Sequence, residues 1–184
     1  MNTQKQIYSQ NWPKFIIGWV IVFAIRMVPF RPANVEPVLA TQMPFSKRYG
    51  MIAGFVFAFL NILIYDAFTS GVGSWTWLVA ITYGAIGVVA GWWFGKRKGN
   101  IANYVLFAIV ATLLFDLITG VLAGPLLFGQ SFMSALVGQI PFTLRHLIGN
   151  TIFAAVASPL IDRWVVKNKK FETKVLFGKL AKQG

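Results

Sequence analysis

The sequence predicts an all-α fold: a membrane-embedded bundle of six transmembrane helices with both termini on the cytoplasmic side. Three observations carry that prediction. Of the 184 residues, 57% are hydrophobic and only 12% are charged, whereas a soluble domain carries about 25% charged residues. Five apolar runs, at 14–30, 50–68, 75–95, 101–123 and 139–162, reach or approach the roughly 20 residues that a helix needs to cross a bilayer. The basic residues gather at alternate ends of these runs, following the bias of Lys and Arg toward cytoplasmic loops.

The first run follows a polar start, carries Arg26 and has no small-residue cleavage pattern after it, so it is expected to be a retained span and not a cleaved signal. The next segment, Glu36–Ser46, is shorter and less apolar, with Pro37 and Pro44 at its flanks. Proline suits the first turn of a helix, and a short or broken span is tolerated where protein surrounds it. With the N-terminus inside, the second span returns to Lys47-Arg48, the fourth to Lys96-Arg97-Lys98 and the sixth to Arg163. Of the 17 Lys and Arg, 17 − 3 = 14 are then cytoplasmic, the exceptions being Arg26, Arg31 and Arg145. Without the short second span the later helices would turn over and the basic clusters would face outward. The connections are short, so residues 1–163 form one membrane domain. Residues 164–184 are a basic tail, expected as a cytoplasmic surface helix near anionic lipid. Gly87, Gly91 and Gly95 make two overlapping G-x-x-x-G steps in the fourth span, which permit close helix approach within the bundle or onto another membrane protein.

Several functions are disfavoured. The net charge of +12 follows topology, not nucleic-acid binding. There is no cysteine and one histidine, which argues against thiolate chemistry and a histidine metal centre. Gly91–Lys96 (GWWFGK) is too short and bulky for a phosphate-binding loop, and no H-E-x-x-H or G-x-S-x-G occurs. No enzyme activity, metal or cofactor is expected. A channel is disfavoured because the inner half has no polar stripe to continue a pore.

The polar residues are expected at one end. Two runs finish Asp-x-x-Thr, with Asp66 and Asp116 separated by 50 positions, as are Thr69 and Thr119. Each charge in hydrocarbon costs roughly 2.5–3.5 kcal/mol on insertion scales and normally pairs or lines a cavity. Both aspartates fall about one turn from the outer end of their runs, Arg26 likewise, and Arg145 and His146 come soon after the start of the sixth. Arg31, Asn34 and Glu36 occupy the outer loop. His146 and Asn150 share a face at i, i+4, while Asn61 and Tyr65 lie below Asp66. Trp75, Trp77 and Tyr83 stand at the start of the fourth span. One reading has Arg26, Arg145, Asp66 and Asp116 locking the bundle by mutual pairing, with an interfacial aromatic belt and the Asp-x-x-Thr echo as a helix-end device. The other is an outward-facing cavity with a few placed polar groups, the usual form of a small-molecule site. The aspartates are expected to brace the arginines at its rim. The candidate ligand contacts are Arg31, Asn34, Glu36, Tyr65, Asp66, Trp75, Trp77, Asp116, Arg145 and Asn150.

Three stretches carry a family resemblance: RMVPFRPANVEPVLATQMPFSKRYG (26–50), YDAFTSGVGSWTWLVAITYGAIG (65–87) and IPFTLRHLIGNTIFAAVASPLI (140–161). Together with six predicted spans and no ATPase motif, they resemble the substrate-binding S component of energy-coupling factor (ECF) vitamin transporters. The Arg-Pro-x-Asn-x-Glu-Pro loop and the Trp-Thr-Trp start of the fourth span look most like the cobalamin or corrinoid branch. The resemblance implies a prokaryotic plasma-membrane protein that binds a vitamin with high affinity at the outer face. It implies as partners a transmembrane coupling subunit, onto which the protein topples, and two cytoplasmic ATPases. The first span carries Gly18 and Val22 where the family has a small-residue A-x-x-x-A docking pattern, and the glycines of the fourth span are a candidate substitute. Three acids beside three arginines balance the local charge, and the abundant aromatic and amide-type residues suit a large, mostly neutral ligand. Another vitamin or a queuosine-type base is the alternative. From other classes stand a membrane enzyme acting on lipid, which would normally carry paired aspartates as D-x-x-x-D or D-D, and a scaffold protein.

Overall fold

The computed structural model describes residues 3–29 and 36–180, and their regular structure is helical throughout. Helix α1 spans Thr3–Arg26, α2 Val38–Tyr49, α3 Met51–Phe68, α4 Ser74–Gly95 and α5 Ile101–Asp116. A π-helical turn, Leu117–Leu122, continues α5 directly into α6, Ala123–Phe128. Helix α7 spans Phe132–Ile161 and runs into a second π-helical turn, Asp162–Val166; a 3-10 turn, Lys169–Phe171, then leads to α8, Thr173–Leu180. Among the described residues, four segments are long and apolar enough to cross a membrane: Met51–Phe68, Ser74–Gly95, Ile101–Phe128 and Phe132–Val166. This is the build of an integral membrane protein. All six predicted runs are helical, but α1 begins with a polar half and α2 has only 12 residues.

The shortest of the six lies deepest. Ten residues of α2 are buried, among them Thr41, Gln42 and Ser46, and it contacts α1, α3, α4 and α7. Pro44 sits inside α2 and not at its edge, as the sequence reading had it. A proline lacks the N–H that would bond the carbonyl four residues earlier, here that of Ala40. Ser158 Oγ of α7 donates to that carbonyl at 2.7 Å. Gln42 Nε2 donates to the Tyr83 carbonyl at 3.1 Å. The same device recurs at α1, where Pro13 releases the carbonyl of Ser9 and Thr173 Oγ1 donates to it at 3.0 Å.

Helices α3 and α4 cross closely because both present glycine. A Cβ on Gly87 would run into the Gly54 backbone, and one on Gly91 would meet the Met51 backbone, whereas Gly95 faces open space. Two of the three G-x-x-x-G positions are therefore used inside the bundle, which removes them as a docking surface.

The basic tail is pinned to the bundle. Trp12 and Phe177 pack with ring centroids 6.1 Å apart, and Lys14 Nζ donates to the Val166 carbonyl at 3.0 Å. The buried Asp162 carboxylate accepts Lys47 at 2.8 Å and Lys167 at 2.7 Å.

Two predicted boundaries move. The fifth run continues past Ala123 to Phe128, and Gly129, at φ 65°, closes it in the left-handed conformation that favours glycine. The sixth begins at Phe132, not near 139, because Ser131 caps it by accepting from the Ser134 N–H at 3.2 Å. The result is a long hairpin whose midpoint falls near Asp116 and His146.

Candidate functional site

The C-terminal end of α1, the first turns of α4 and the middle of the α5–α7 hairpin border a half-open cavity of about 180 Å³. Its lining is Arg26, Glu36, Ile62, Trp75, Val79, Tyr83, Phe115, Phe142 and His146. Larger grooves, such as the one of about 470 Å³ along α1 and α3, are open, apolar and on the outer wall, where lipid chains would fill them. Among the described residues the smaller cavity gathers Arg26, Glu36 and His146.

Arg26, the last residue of α1, lays its guanidinium 3.6 Å from the centre of the Tyr65 ring, and its Nε lies 3.4 Å from Glu36 Oε2. The ion pair and the ring face offset the cost of placing a cation there. Arg26 Nη1 is buried and makes no hydrogen bond among the described residues.

Across the cavity, His146 Nδ1 and Asp116 Oδ1 are 2.8 Å apart, both residues only 2% exposed. Phe115 and Phe142 stand edge-on to the imidazole at 5.6 and 5.8 Å, so the ring cannot turn freely. His146 Nε2 and Asp116 Oδ2 are buried without partners among the described residues. One turn deeper, Asn150 Nδ2 donates to Thr112 Oγ1 at 2.8 Å. The i, i+4 pairs Thr112/Asp116 and His146/Asn150 thus face each other as two rungs between α5 and α7. The π turn begins directly after Asp116, and such turns are frequent at functional sites. It also lets the chain pass Gly120, where a Cβ would strike Gln139.

The ten predicted contacts separate. Glu36 and Trp75 line the cavity. Tyr65 supports Arg26, Asp116 holds His146, and Asn150 lies in the rung below. Asp66 braces no arginine among the described residues: its Oδ2 accepts from Thr76 Oγ1 at 2.7 Å, and Thr76 Oγ1 accepts from the Gly73 N–H at 3.2 Å, which closes the turn between α3 and α4. Trp77 is exposed and rests on Phe59 at 6.1 Å. Arg145 is exposed and has no ion pair among the described residues, so the predicted lock of two arginines and two aspartates does not form. Arg31 and Asn34 lie outside the described residues. The Asp-x-x-Thr echo ends a helix only at Thr69, and at Thr119 it lies inside a helix that runs on to Phe128. Thr69 Oγ1 donates to the Tyr65 carbonyl at 2.8 Å, and Thr119 Oγ1 to the Phe115 carbonyl at 2.9 Å.

The sequence reading did not place Arg26 and His146 among the ligand contacts, nor the walls Phe115 and Phe142. For His146 a signal existed: its i, i+4 partner Asn150 mirrors Thr112 and Asp116. Depth was also misjudged. Asp116 is followed by twelve more helical residues, to Phe128, and His146 is the fifteenth residue of a 30-residue helix, so the pair sits near mid-helix.

Chemically, the cavity offers a fixed donor at Arg26, a nitrogen at His146 oriented by a carboxylate, and flat apolar walls. Among the described residues no cluster of three His, Cys, Asp or Glu could hold a metal ion. Neither a curated protein nor a solved structure matches the chain. Residues 7–170 match the family of unknown function DUF6580, and the chain belongs to that family.

Proposed function

We propose that the protein is a substrate-binding subunit of the ECF type. It is a six-span membrane protein with both termini in the cytoplasm, and it captures a vitamin-like molecule from the outer side. A transmembrane coupling subunit and two cytoplasmic ATPases drive release inward. One observation carries this reading: Arg26 and His146, each with a buried polar atom that makes no hydrogen bond among the described residues (Nη1 and Nε2), line one small cavity in an otherwise apolar bundle. Each buried group left unpaired costs about 1–3 kcal/mol, and a bound molecule that pairs with them recovers that cost. The deeper pair of Thr112 and Asn150 stiffens the floor.

The size of the cavity bears on the ligand. About 180 Å³ is below the ~300–1,000 Å³ of sites for drug-sized molecules. It favours a one- or two-ring vitamin or a queuosine-type base over the corrinoid suggested by the sequence motifs. Calorimetry of the purified protein in detergent against a vitamin panel, with cobalamin and cobinamide included, tests the reading. One-to-one binding of a small vitamin, lost in Arg26→Ala, supports it. Corrinoid binding keeps the transport role and refutes the size argument. A folded protein that binds nothing in the panel overturns the reading.

A further inference from the structure

The donors and acceptors around the cavity specify more than size. As a carboxylate, Asp116 only accepts hydrogen bonds, so its 2.8 Å contact places the proton on His146 Nδ1. In the neutral ring this leaves Nε2 as an acceptor, the tautomer being set by the bond at the other nitrogen. Arg26 is the opposite case: a guanidinium only donates, and its Nη1 has no partner among the described residues. A ligand spanning the two must present an N–H or O–H to His146 and a carbonyl-type oxygen to Arg26. The walls Trp75, Tyr83, Phe115 and Phe142 suit a flat ring. Charge narrows the class again. Arg26 is matched by Glu36, and Asp116 adds a further negative charge beside the cavity, so among the described residues an anionic ligand would meet no spare cation.

We propose that the cavity selects a neutral, flat heterocycle by a cyclic-amide edge, with its ring N–H donated to His146 Nε2 and its carbonyl accepting from Arg26 Nη1. This rests on the binding role proposed above and assigns His146 as the specificity-determining residue of that site.

The test pairs each ligand with its own control. Uracil, hypoxanthine and lumazine are titrated calorimetrically into the full chain in detergent, beside versions methylated at the amide nitrogen and the vitamin panel. The expected result is binding of at least one cyclic amide, weakened tenfold or more by methylation, because the methylated ring leaves Nε2 unpaired. The Asp116→Asn variant supplies a second measurement. Its amide can donate to Nδ1, which moves the proton to Nε2; preference is then expected to shift from hypoxanthine toward purine, whose bare ring nitrogen accepts. Equal binding of methylated and unmethylated rings overturns the inference and leaves the binding role standing. So does tight binding of a panel member that has no N–H beside a carbonyl. No binding by any compound overturns both.

Discussion

Replacing Ser158 by alanine isolates one interhelical hydrogen bond at the buried centre of the bundle. Ser158 Oγ donates to the Ala40 carbonyl at 2.7 Å, and both residues are almost fully buried. That carbonyl lacks its usual helical partner because position 44 is proline. Interhelical hydrogen bonds in membrane proteins average about 0.6 kcal/mol and reach about 1.7, whereas an acceptor stranded in the interior costs about 1–3 kcal/mol. Ala40 belongs to the second case, since its carbonyl is buried and no N–H of residue 44 replaces Ser158. Ser158→Ala should therefore cost about 1–2 kcal/mol, lowering the melting temperature in detergent by roughly 2–6 °C on the scaling for domains of this size. In a Pro44→Ala background the restored N–H of residue 44 bonds the Ala40 carbonyl within α2, and Ser158→Ala should then cost under about 0.5 kcal/mol. The double-mutant cycle, read by thermal unfolding in one detergent, gives the coupling directly. Equal cost of Ser158→Ala in both backgrounds would refute the reasoning, because the serine would then act through its volume and not through the orphaned carbonyl.

The other predictions concern packing and the site. Gly87→Leu drives a side chain into the Gly54 backbone and should destabilise the fold by about 1–3 kcal/mol or more, while Gly95→Ala should leave the melting temperature unchanged. Arg26→Lys removes the planar group stacked on Tyr65 and should weaken ligand binding tenfold or more with folding retained. Arg145→Gln should leave calorimetric affinity untouched, because Arg145 is outside the cavity. Asp66→Asn weakens the bond to Thr76 and should lower stability by about 1 kcal/mol without changing ligand affinity, a contrast with Asp116→Asn that a thermal melt and a titration on each variant would reveal.

Much of the helical layout was legible because its causes are local. A run of apolar residues becomes a helix in hydrocarbon since each backbone N–H and C=O must find its partner within the segment. Pro37 marked the start of α2 for a similarly local reason. The ends of the long hairpin were less legible. The fifth run was expected to stop at 123, yet a π turn carries the chain on into α6, and Ser131 starts α7 well before the strongly apolar part. Counting depth from those false ends put Asp116, Arg145 and His146 at the rim.

The candidate site was legible in its residue types and not in its pairings. The sequence singled out a small set of polar residues in an apolar chain and set His146 and Asn150 on one face. It could not tell that Asp116 would meet His146 and not Arg145, or that Asp66 would close a turn. Pairing across a bundle depends on how each helix is rotated and on its register against its neighbours. A shift of one residue turns a side chain by about 100° on a helix of 3.6 residues per turn. Composition and apolar periodicity by themselves determined that this chain is a helical membrane protein, since satisfying the backbone is a demand each segment meets alone. Which carboxylate orients the histidine, which arginine keeps a free donor and which glycines let α3 touch α4 were decided only by the tertiary structure. These depend on contacts between residues tens of positions apart, and no segment carries that information alone.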